Sequence, residues 1–590
     1  MDYTTLLPAE ILNEIFTWTK RLDPIPTADQ LRLLKNDRRR TLSSQLSLPP
    51  FQISPYKLIS TSERLAWISV THVCARWRAL GLDQTDLWTD LPLVLGPRWF
   101  KSFISRSKSA PVSLDYSSFS RAAYLHWEQS LELEIVPALR PRLRTYTTGF
   151  DGDNKIAKLL CLPWPALEEL EINAMGRYTA QRLLDDCAPR LRSLSFSLYL
   201  STQGAEVFPW GASFLGNLAV LDLLFAQGIR GASVPDFLGA LGRMPGLRHL
   251  RLRDNREKAA ELCLACEEGA LVSLPHLQTL AFESAGSMIS HITRHVLPSP
   301  SVRLLLDASD DDNWNVYTSR LLSWYQPDPD FTGFHSAHAI LGPTTGRPGI
   351  VDLSLSRSAT SIPSEPSFTQ KWHASTPNDA ELRFKMRRDA VPSNPEDVVQ
   401  VLQALQPRNG HINEDADADG EESTLKALAL TLPLRFPSHE LPESWLTPFY
   451  TRDLFRNVTT LQFNWPLLKC VSALTPGHSL HSPTTPSPTP SHNQYIPFPS
   501  LQTLDFAECR LGFVIGWMPG VLDDMLKARR ERGVGLKRVW LRMEEDVRDV
   551  REGRVEDVRW VLTFRSLEDV VGLVGGLEGL GEVRIVKRGV

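Results

Sequence analysis

One short hydrophobic pattern, Leu-x-x-Leu-x-Leu, recurs along most of the chain. It occurs eleven times, as PALEELEI, PRLRSLSF, GNLAVLDL, PGLRHLRLRDN, PHLQTLAF, GIVDLSL, STLKALAL, RNVTTLQF, PSLQTLDF, GLKRVWL and GLGEVRI. The first five copies begin 24, 27, 29 and 30 residues apart. The alternation of apolar and polar residues at the end of each copy predicts a short β-strand with one apolar face.

Helical periodicity fills some of the intervals between these strands. The segment VPDFLGALGRM at 234–244 predicts a helix that supplies a second apolar wall. A single unit of this kind cannot bury its apolar face, so neighbouring units must stack. The sequence therefore predicts an α/β fold with a parallel-strand solenoid over 161–590. An ordinary parallel α/β domain whose strands begin with leucine is the alternative.

The repeated pattern resembles the leucine-rich repeat family. The copy PGLRHLRLRDN matches the family pattern LxxLxLxxN in full, with Leu247, Leu250, Leu252 and Asn255 at its four defined positions. The other copies lack the asparagine, and their spacing is irregular. The resemblance implies a stack of strands with a concave surface that binds an elongated protein partner.

Two segments near the N-terminus have a helical pattern of their own. In LLPAEILNEIFTW, Pro8 suits the first turn of a helix, and apolar residues from Ile11 to Phe16 share one face. In VTHVCARWRALG, a helix over 70–81 would align Val70, Val73, Cys74, Trp77 and Leu80. With DLWTDLPL, these segments do not form a self-sufficient core. Full burial of each large side chain is worth roughly 1.5–3 kcal/mol, so the repeat region or another protein is expected to cover these faces.

The order of these motifs resembles the F-box, in which LPxEIL and IF are followed by VC, W and LW. F-box proteins are the substrate receptors of SCF (Skp–cullin–F-box) ubiquitin ligases. Their helical module docks on the Skp adaptor and, through it, on a cullin, while a C-terminal repeat domain holds a protein substrate. The resemblance covers about 45 of the first 95 residues. It implies that the adaptor-binding residues are Leu7, Pro8, Ile11, Leu12, Ile15, Phe16, Val73, Cys74, Trp77 and Trp88.

The segment between the two helices departs from the usual F-box, because it contains an insert at 20–62. This feature resembles the long-insert F-box-like proteins of fungi. Two alternatives remain open at this point. The helix pair caps the solenoid without binding an adaptor, or the whole chain is a leucine-rich-repeat interaction scaffold with no link to ubiquitination.

These patterns divide the chain into three parts. An F-box-like helical module spans 1–95, a linker with the first irregular repeats spans 96–160, and the repeat region spans 161–590. Two segments lack the apolar residues needed to offset the entropy of ordering, and mobile loops are expected there: the acidic 408–423 and the Ser-, Thr- and Pro-rich 475–494.

Composition and charge narrow the choice of partners. A net charge of −4 over 590 residues gives no field that would favour nucleic acid or a membrane surface. No apolar run reaches the length of about 18 residues that a membrane-spanning helix needs, and the N-terminus lacks the pattern of a secretory signal. Seven scattered cysteines indicate a reducing compartment. We expect a soluble intracellular protein, cytoplasmic or nuclear or both.

Two motifs imitate metal sites. The sequence DADADG at 415–420 resembles the start of a calcium loop, but Lys426 stands where a bidentate glutamate is required. Cys263 and Cys266 form a single CxxC without a second pair at zinc spacing. Neither motif predicts a metal.

Catalytic motifs are also incomplete. His291 and His295 lack the glutamate of a zinc protease, and GHSLH at 477–481 lacks the last glycine of a nucleophile elbow. The glycines at 572–581 do not have phosphate-binding spacing, and the basic runs KNDRRR and KARRERG are interpreted as solvated helix faces. The sequence predicts a protein that is not an enzyme and has no cofactor.

Charged residues at strand positions supply candidates for substrate recognition. One copy is acidic, with Glu168, Glu169 and Glu171, and others are basic. The acidic and basic stripes would fix the register of an elongated protein substrate. The candidate substrate-binding residues are Arg248, Arg251, Arg253, Lys537, Arg538, Trp540 and Arg542.

Overall fold

A computed structural model describes the chain in segments: 7–26, 30–31, 38, 65–116, 135–151, 162–175, 187–199, 210–225, 234–254, 271–284, 286–299, 302–308, 324, 334, 336–343, 349–356, 382–388, 399, 402–403, 425–431, 449, 452–464, 474–475, 496–509, 524–536, 538–543 and 582–587. The helices, in chain order, are α1 (Ala9–Leu22), α2 (Ala75–Asp83), α3 (Pro97–Arg106), α4 (Val136–Leu139), α5 (Val234–Gly242) and α6 (Gly286–His295). Short 3₁₀ helices lie at Ala66–His72, Thr85–Trp88, Leu93–Leu95, Arg140–Arg142, Ser213–Asn217 and Asp453–Phe455.

The strands are β1 (Asp90–Leu91), β2 (Val112–Asp115), β3 (Leu143–Asp151), β4 (Glu169–Met175), β5 (Ser193–Tyr199), β6 (Val220–Phe225), β7 (His249–Asp254), β8 (Val272–Leu274), β9 (Thr279–Ser284), β10 (Val296–Pro298), β11 (Arg303–Ala308), β12 (Ser336–Pro343), β13 (Gly349–Ser356), β14 (Leu382–Arg388), β15 (Ala427–Thr431), β16 (Thr460–Asn464), β17 (Thr503–Cys509), β18 (Arg538–Met543) and β19 (Glu582–Lys587).

Seventeen of these strands form one sheet. The strands β1 to β7, then β9 and β11, pair in that order and run parallel. Beyond β11 the spatial order is β14, β13, β12, and then β15 to β19. A separate parallel pair joins β8 and β10. The fold is therefore mixed α/β with a large, mostly parallel sheet that does not close into a barrel.

Each of the eleven sequence copies contributes one strand to this sheet, which confirms the strand prediction. The second apolar position of the copies lies in one row across the sheet, from Leu170 through Leu194, Leu221 and Leu250 to Leu280. All five side chains are buried. The row places the apolar sides of successive strands on a common core, as the alternation predicts.

The first apolar residue of most copies has a different role, because it closes a turn. In seven copies, and also at Val302 before β11, its N–H donates to the carbonyl three residues earlier, at 3.0–3.2 Å. The next residue then donates its N–H to the equivalent residue of the preceding strand in space, at 2.7–2.9 Å. The motif thus encodes a turn followed by the start of a strand. The distance between its first and second apolar positions is set by this turn.

Strand β13, which contains the copy GIVDLSL, departs from the prediction of parallel strands. It pairs antiparallel with both β12 and β14. Only residues 344–348 connect β12 to β13. A parallel crossover needs a dozen or more residues, so this short connection permits only an antiparallel pairing.

Helical predictions had mixed outcomes. The helix predicted at 234–244 is α5, and the helix predicted after Pro8 is α1. The single helix predicted over 70–81 is wrong, because a 3₁₀ helix ends at His72 and α2 begins at Ala75. Between them, Cys74 has an extended backbone, and its Sγ accepts a hydrogen bond from the Trp77 N–H at 3.5 Å. This cap satisfies an N–H of the first turn of α2, where a continuous helix would have used a backbone carbonyl.

The predicted linker 96–160 contains α3, β2, α4 and β3, and both strands join the large sheet. Several other predictions lie outside the described residues: the segment 408–423, nearly all of 475–494, most of the insert 20–62, the motifs at 263–266, 415–420, 477–481 and 572–581, and the final asparagine of the complete repeat motif.

The basic run KARRERG does not have a uniformly solvated face. Residues 524–531 are helical, and Arg529 within them is fully buried. Its guanidinium donates to the carbonyls of Pro497 at 2.7 Å and Phe498 at 2.8 Å, directly before β17. Burial lowers the pKa of Arg529 to about 10. The Arg529 guanidinium therefore stabilises the turn that precedes β17.

Candidate functional site

The inward face of α1 packs on α2. Leu12 and Phe16 are fully buried, and the Phe16 ring meets the Trp77 ring edge-on, with centroids 5.3 Å apart. Gly81 of α2 lies close to this face, because a Cβ added there would stand 3.8 Å from Phe16 Cε2, and also 3.1 Å from Thr71 Cγ2 of the preceding 3₁₀ helix. The two helices that flank the insert therefore form one packed unit.

The C-terminal end of α1 is attached to the first strand of the sheet. Lys20 Nζ lies 2.8 Å from Asp90 Oδ2 of β1 and donates to the Asp86 carbonyl at 3.0 Å. The Trp67 N–H donates to the carbonyl of Asp23, directly after α1, at 3.1 Å. These bonds fix the helical unit against the sheet edge formed by β1.

An aromatic cluster joins the helical unit to the core of the sheet. Trp88 meets Trp67 at 5.3 Å and Phe103 at 4.8 Å, both edge-on. Its indole N–H donates to the Gly81 carbonyl at 2.8 Å, and the Arg106 guanidinium lies 4.3 Å from its ring centroid. The core is continuous from α1 into the strands.

The outward side of α1 carries apolar residues that the chain does not bury. Ile11 is 48% exposed, Trp18 is 56% exposed and Leu22 is 80% exposed, while Ile15 between them is half-buried. Their spacing of four, three and four residues places them in a stripe along one helix face. We call Ile11, Ile15, Trp18 and Leu22 the α1 stripe. A stripe with this spacing has the geometry of a helix–helix contact.

The predicted adaptor-binding residues divide into three groups by burial. Pro8, Ile11 and Val73 are exposed, and Leu7, Ile15, Cys74 and Trp77 are half-buried. The remaining three, which are Leu12, Phe16 and Trp88, belong to the core of this chain. Substitutions at the three core residues will therefore report on folding, and only the other seven are accessible to a partner.

Sequence reasoning missed two members of the α1 stripe, Trp18 and Leu22. The signal was present, because these residues continue the series that starts at Ile11 and Ile15. The predicted apolar face ends at Phe16, which belongs to the opposite, inward face of α1. Trp18 also holds the Arg21 guanidinium 5.3 Å from its ring centroid.

Two of the predicted substrate-binding arginines are engaged within the sheet. Arg251 Nη2 lies 3.8 Å from Glu283 Oε2, and Arg253 Nη2 lies 3.4 Å from Asp222 Oδ1. Burial lowers the pKa of Arg251, and the charge of Arg253 lowers it further, whereas the carboxylates of Asp222, Glu283 and Asp307 oppose the change. These two side chains satisfy cross-strand carboxylates, which reduces their availability to a substrate.

The other predicted substrate residues have less structural detail. Arg538, Trp540 and Arg542 occupy alternate positions of β18, and Trp540 is the Cα partner of Asp505 in β17. Their side chains, and Lys537 as a whole, lie outside the described part of the structure. Their role in substrate binding stays a prediction.

Arg248 differs from its neighbours, because it belongs to a row of exposed arginines at strand starts. The backbone ladder described above aligns the residues that follow the first apolar residue of successive copies, and it also includes the residues after Leu143 and Val302, which belong to no copy. Four of these residues are exposed arginines: Arg144, Arg192, Arg248 and Arg303. We call them the arginine row. Three of them were missed because the motif was read for its apolar positions, although the dipeptides LR and VR mark all four.

The histidine pair on α6 has no third metal ligand among the residues that the structure describes. The His291 and His295 ring centroids are 5.2 Å apart, and across the described residues no group of three His, Cys, Asp or Glu side chains could hold a metal ion. Partial burial lowers the pKa of His291, and the charges of His295 and Arg294 lower it further.

The lowered pKa of His291 predicts an acid-sensitive stability. Its folded pKa lies below the ordinary value of 6.5, so the unfolded chain binds more protons just below that pH. The stability that this group contributes is complete above pH 6.5, and it decreases as the pH falls from 6.5 through the lower pKa of the folded state. We expect His291→Gln to lose less thermal stability than the wild type between about pH 7.5 and pH 5.5, measured as the midpoint of unfolding. Equal losses would contradict this assignment.

Comparisons with known proteins add no relative, because neither a protein-family model nor a curated protein matches this chain. Within the segments that the structure describes, no helix has both the length and the apolar character needed to cross a membrane. The two surfaces are therefore interpreted from their geometry and chemistry.

Proposed function

We propose that this protein is the substrate-receptor subunit of an SCF-type ubiquitin ligase. In this proposal α1 docks on a Skp-type adaptor, and the strand region binds a protein substrate. The α1 stripe is the observation that carries the proposal. Three large apolar side chains stay in water on a helix whose other face is well packed, and such exposed patches mark interaction surfaces.

The form of the stripe favours a helical partner. Its steps of four, three and four residues keep the four side chains on one helix face, and steps of this kind also occur between residues that interlock where two helices pack. Trp18 at its centre is of the residue type most often found at energetic hot spots. An adaptor that presents helices with an apolar groove would cover Ile11, Trp18 and Leu22 together.

The insert does not stand against this proposal. The Phe16–Trp77 contact joins α1 to α2 across it, and Arg76 Nη2 donates to the Leu7 carbonyl at 2.5 Å. The ring contact and the hydrogen bond hold the two helices together irrespective of the length of chain between them. The helical unit therefore has the packing that a docking module needs.

The finer interpretation of the strand region, a leucine-rich-repeat-like solenoid, belongs to the same proposal. Its support is the recurrence of one turn, one strand start and one apolar row in successive copies. Units that repeat in this way stack by nearest-neighbour contacts and produce an extended binding surface.

The proposed mechanism needs no active centre in this chain. The receptor would raise the effective concentration of substrate lysines near a ubiquitin-carrying enzyme held by the cullin. Rigid attachment of the docking helix to the strand region serves this role, because it fixes the distance between adaptor and substrate. The Lys20–Asp90 ion pair and the Trp88 cluster provide that attachment.

The proposal is tested by the double variant Ile11→Asp with Trp18→Asp. Truncating a hot-spot residue costs about 2 kcal/mol or more, so the pair should weaken binding to a Skp-type adaptor by at least about 100-fold. Binding is measured by calorimetry with the purified adaptor. Leu297→Asp is the matched control, since Leu297 is also an exposed apolar residue but lies in β10. A folded double variant with unchanged affinity would reject adaptor docking through α1.

A second function, an interaction scaffold with no link to ubiquitination, is favoured by one observation. Leu12, Phe16 and Trp88 are sealed in the core, and Lys20 pairs with β1, so the helical unit covers the first edge of the sheet. Terminal units of repeat proteins need such a cap. The same calorimetric experiment distinguishes the two functions, because a simple cap would not bind the adaptor.

A further inference from the structure

We infer that the arginine row binds an extended, acidic segment of a protein. This names the substrate class for the receptor proposed above and rests on that proposal for its biological role. The chemistry of binding depends only on the row itself, which consists of Arg144, Arg192, Arg248 and Arg303.

The backbone fixes the positions of these four residues. Arg192 donates its N–H to the Glu168 carbonyl, Glu168 donates to Arg144, and the same ladder continues through Arg248 to Arg303. One strand separates each arginine from the next. Strands in a sheet are about 4.8 Å apart, so neighbouring arginines of the row start about 9.6 Å apart and the whole row spans about 29 Å.

The guanidinium groups of the row are accessible. All four residues are exposed. In the part of the chain that the structure describes, no ion pair or hydrogen bond engages their side chains, in contrast to Arg251 and Arg253, three and five residues after Arg248 in β7. Four cations in one line therefore face solvent at the same edge of the sheet. A guanidinium binds a carboxylate through paired, charge-assisted hydrogen bonds.

The surroundings of the row favour a protein ligand over nucleic acid. Glu168 lies in the ladder between Arg144 and Arg192, and Glu169 follows it as the first residue of β4. A polyphosphate backbone carries a charge on every unit and would place one against Glu168, whereas a peptide with an acidic residue at every third position can place an uncharged residue there. The chain as a whole carries a net charge of −4. Single-stranded nucleic acid also needs aromatic side chains for base stacking, and among the residues whose exposure the structure describes, Trp18 on α1 is the only exposed large aromatic residue.

The spacing of the row determines the pattern of acidic residues that fits it. An extended chain advances about 3.1–3.3 Å per residue, so three residues cover the distance between two arginines of the row. We therefore expect the best ligand to carry Asp or Glu at every third position, over about ten residues. A segment with the same charge in one block would reach only one or two arginines.

The inference is tested with the full-length protein and two fluorescein-labelled peptides of twelve residues. One peptide carries four glutamates at every third position, and the other carries the same four glutamates in one block. Fluorescence anisotropy at low salt should show tighter binding of the spaced peptide. The variant Arg192→Glu with Arg248→Glu should weaken that binding by about tenfold or more. Added salt should weaken it too.

A charge-matched control separates the row from general electrostatics. Arg98→Glu with Arg530→Glu changes the net charge equally, and both residues are exposed and outside the row. It should bind the spaced peptide as the wild type does. Equal losses in the two double variants, or no loss in the row variant when circular dichroism shows it folded, would overturn the inference. Equal affinity for the two peptides would also overturn it.

Two further measurements complete the test. The first is binding of a single-stranded oligonucleotide of twelve nucleotides. If it binds more tightly than the spaced peptide, and the row variant loses this binding, the ligand of the row is nucleic acid and the inferred protein ligand is wrong. Adaptor affinity of the row variant should equal that of the wild type. If neither the wild type nor the row variant binds the adaptor, while the spaced peptide still binds the wild type through the row, the proposed function is wrong and this inference stands.

Discussion

Replacement of Trp88 by alanine is expected to destabilise the helical unit by about 3–5 kcal/mol. Trp88 is fully buried, its N–H bonds to the Gly81 carbonyl, and its ring contacts Trp67 and Phe103 edge-on. Alanine would leave a cavity in the cluster and an unpaired carbonyl in α2. Because this cluster joins α1 and α2 to the sheet, the loss should release the whole unit.

The destabilisation is measured by hydrogen exchange of the amides of α1 and α2, which should lose protection together. Trp18→Ala is the matched control, because Trp18 is a tryptophan of the same unit that lies more than half in solvent. Trp18→Ala should change the free energy of amide opening by about 0.5 kcal/mol or less, yet it should weaken adaptor binding. If Trp88→Ala left the protection of α1 unchanged, the aromatic cluster would not be what holds the unit in place.

Replacement of Arg529 by methionine is expected to destabilise the turn before β17 by about 2–3 kcal/mol. Methionine fills a similar volume but donates no hydrogen bond, so the Pro497 carbonyl would lose its guanidinium partner in a buried place. The Phe498 carbonyl would lose one of its two donors and keep the bond from the Leu501 N–H. Phe498 also has a positive φ of 46°, a conformation that a phenylalanine adopts only where its surroundings hold it. Without the guanidinium, that conformation should relax.

The effect is read from amide exchange of β17, and from the rate of proteolysis near residue 497. Lysine at position 529 should restore only part of the protection, since one ammonium cannot match the planar fork that reaches both carbonyls. Arg530→Met is the control, because Arg530 is exposed on the same helix. Equal protection in Arg529→Met and Arg530→Met would show that the buried guanidinium contributes no stability.

The strands were predictable from sequence because their signal is local. An apolar residue two positions from another must share its face in any strand, and the row from Leu170 to Leu280 follows from that rule. The direction of β13 was not predictable from its own residues, which resemble those of the other copies. It depends on the short connection to β12, and β12 itself has no copy of the motif.

Side-chain partners were harder to predict than strands. The pairs Arg251–Glu283 and Arg253–Asp222 join different strands, so they depend on which strands are neighbours and in which register. The burial of Arg529 depends likewise on a turn about 30 residues away in sequence. Sequence reasoning placed these arginines on solvated surfaces, because charged side chains are rarely buried without a partner that the sequence makes visible.

The N-terminal surface was predicted in part. Ile11 and Ile15 were found from the helical pattern, but that pattern could not separate the inward face from the outward one. The separation depends on where α2 and the first strand lie, which in turn depends on Gly81 and on the Lys20–Asp90 ion pair. The break at Cys74 was missed for a related reason, since a cysteine is an uncommon cap residue.

The position of β13 also affects how the chain can fold. A sheet whose strands follow the chain order can grow one neighbour at a time. After β11, however, the next strand in space is β14 and not β12. The free edge of β11 therefore cannot pair until the chain has continued through β12 and β13 to β14. Closing a loop of that length costs entropy before any pairing is gained. Growth of the sheet from its amino-terminal side should therefore pause at β11, and the strands from β15 onward should assemble as a later, separate event.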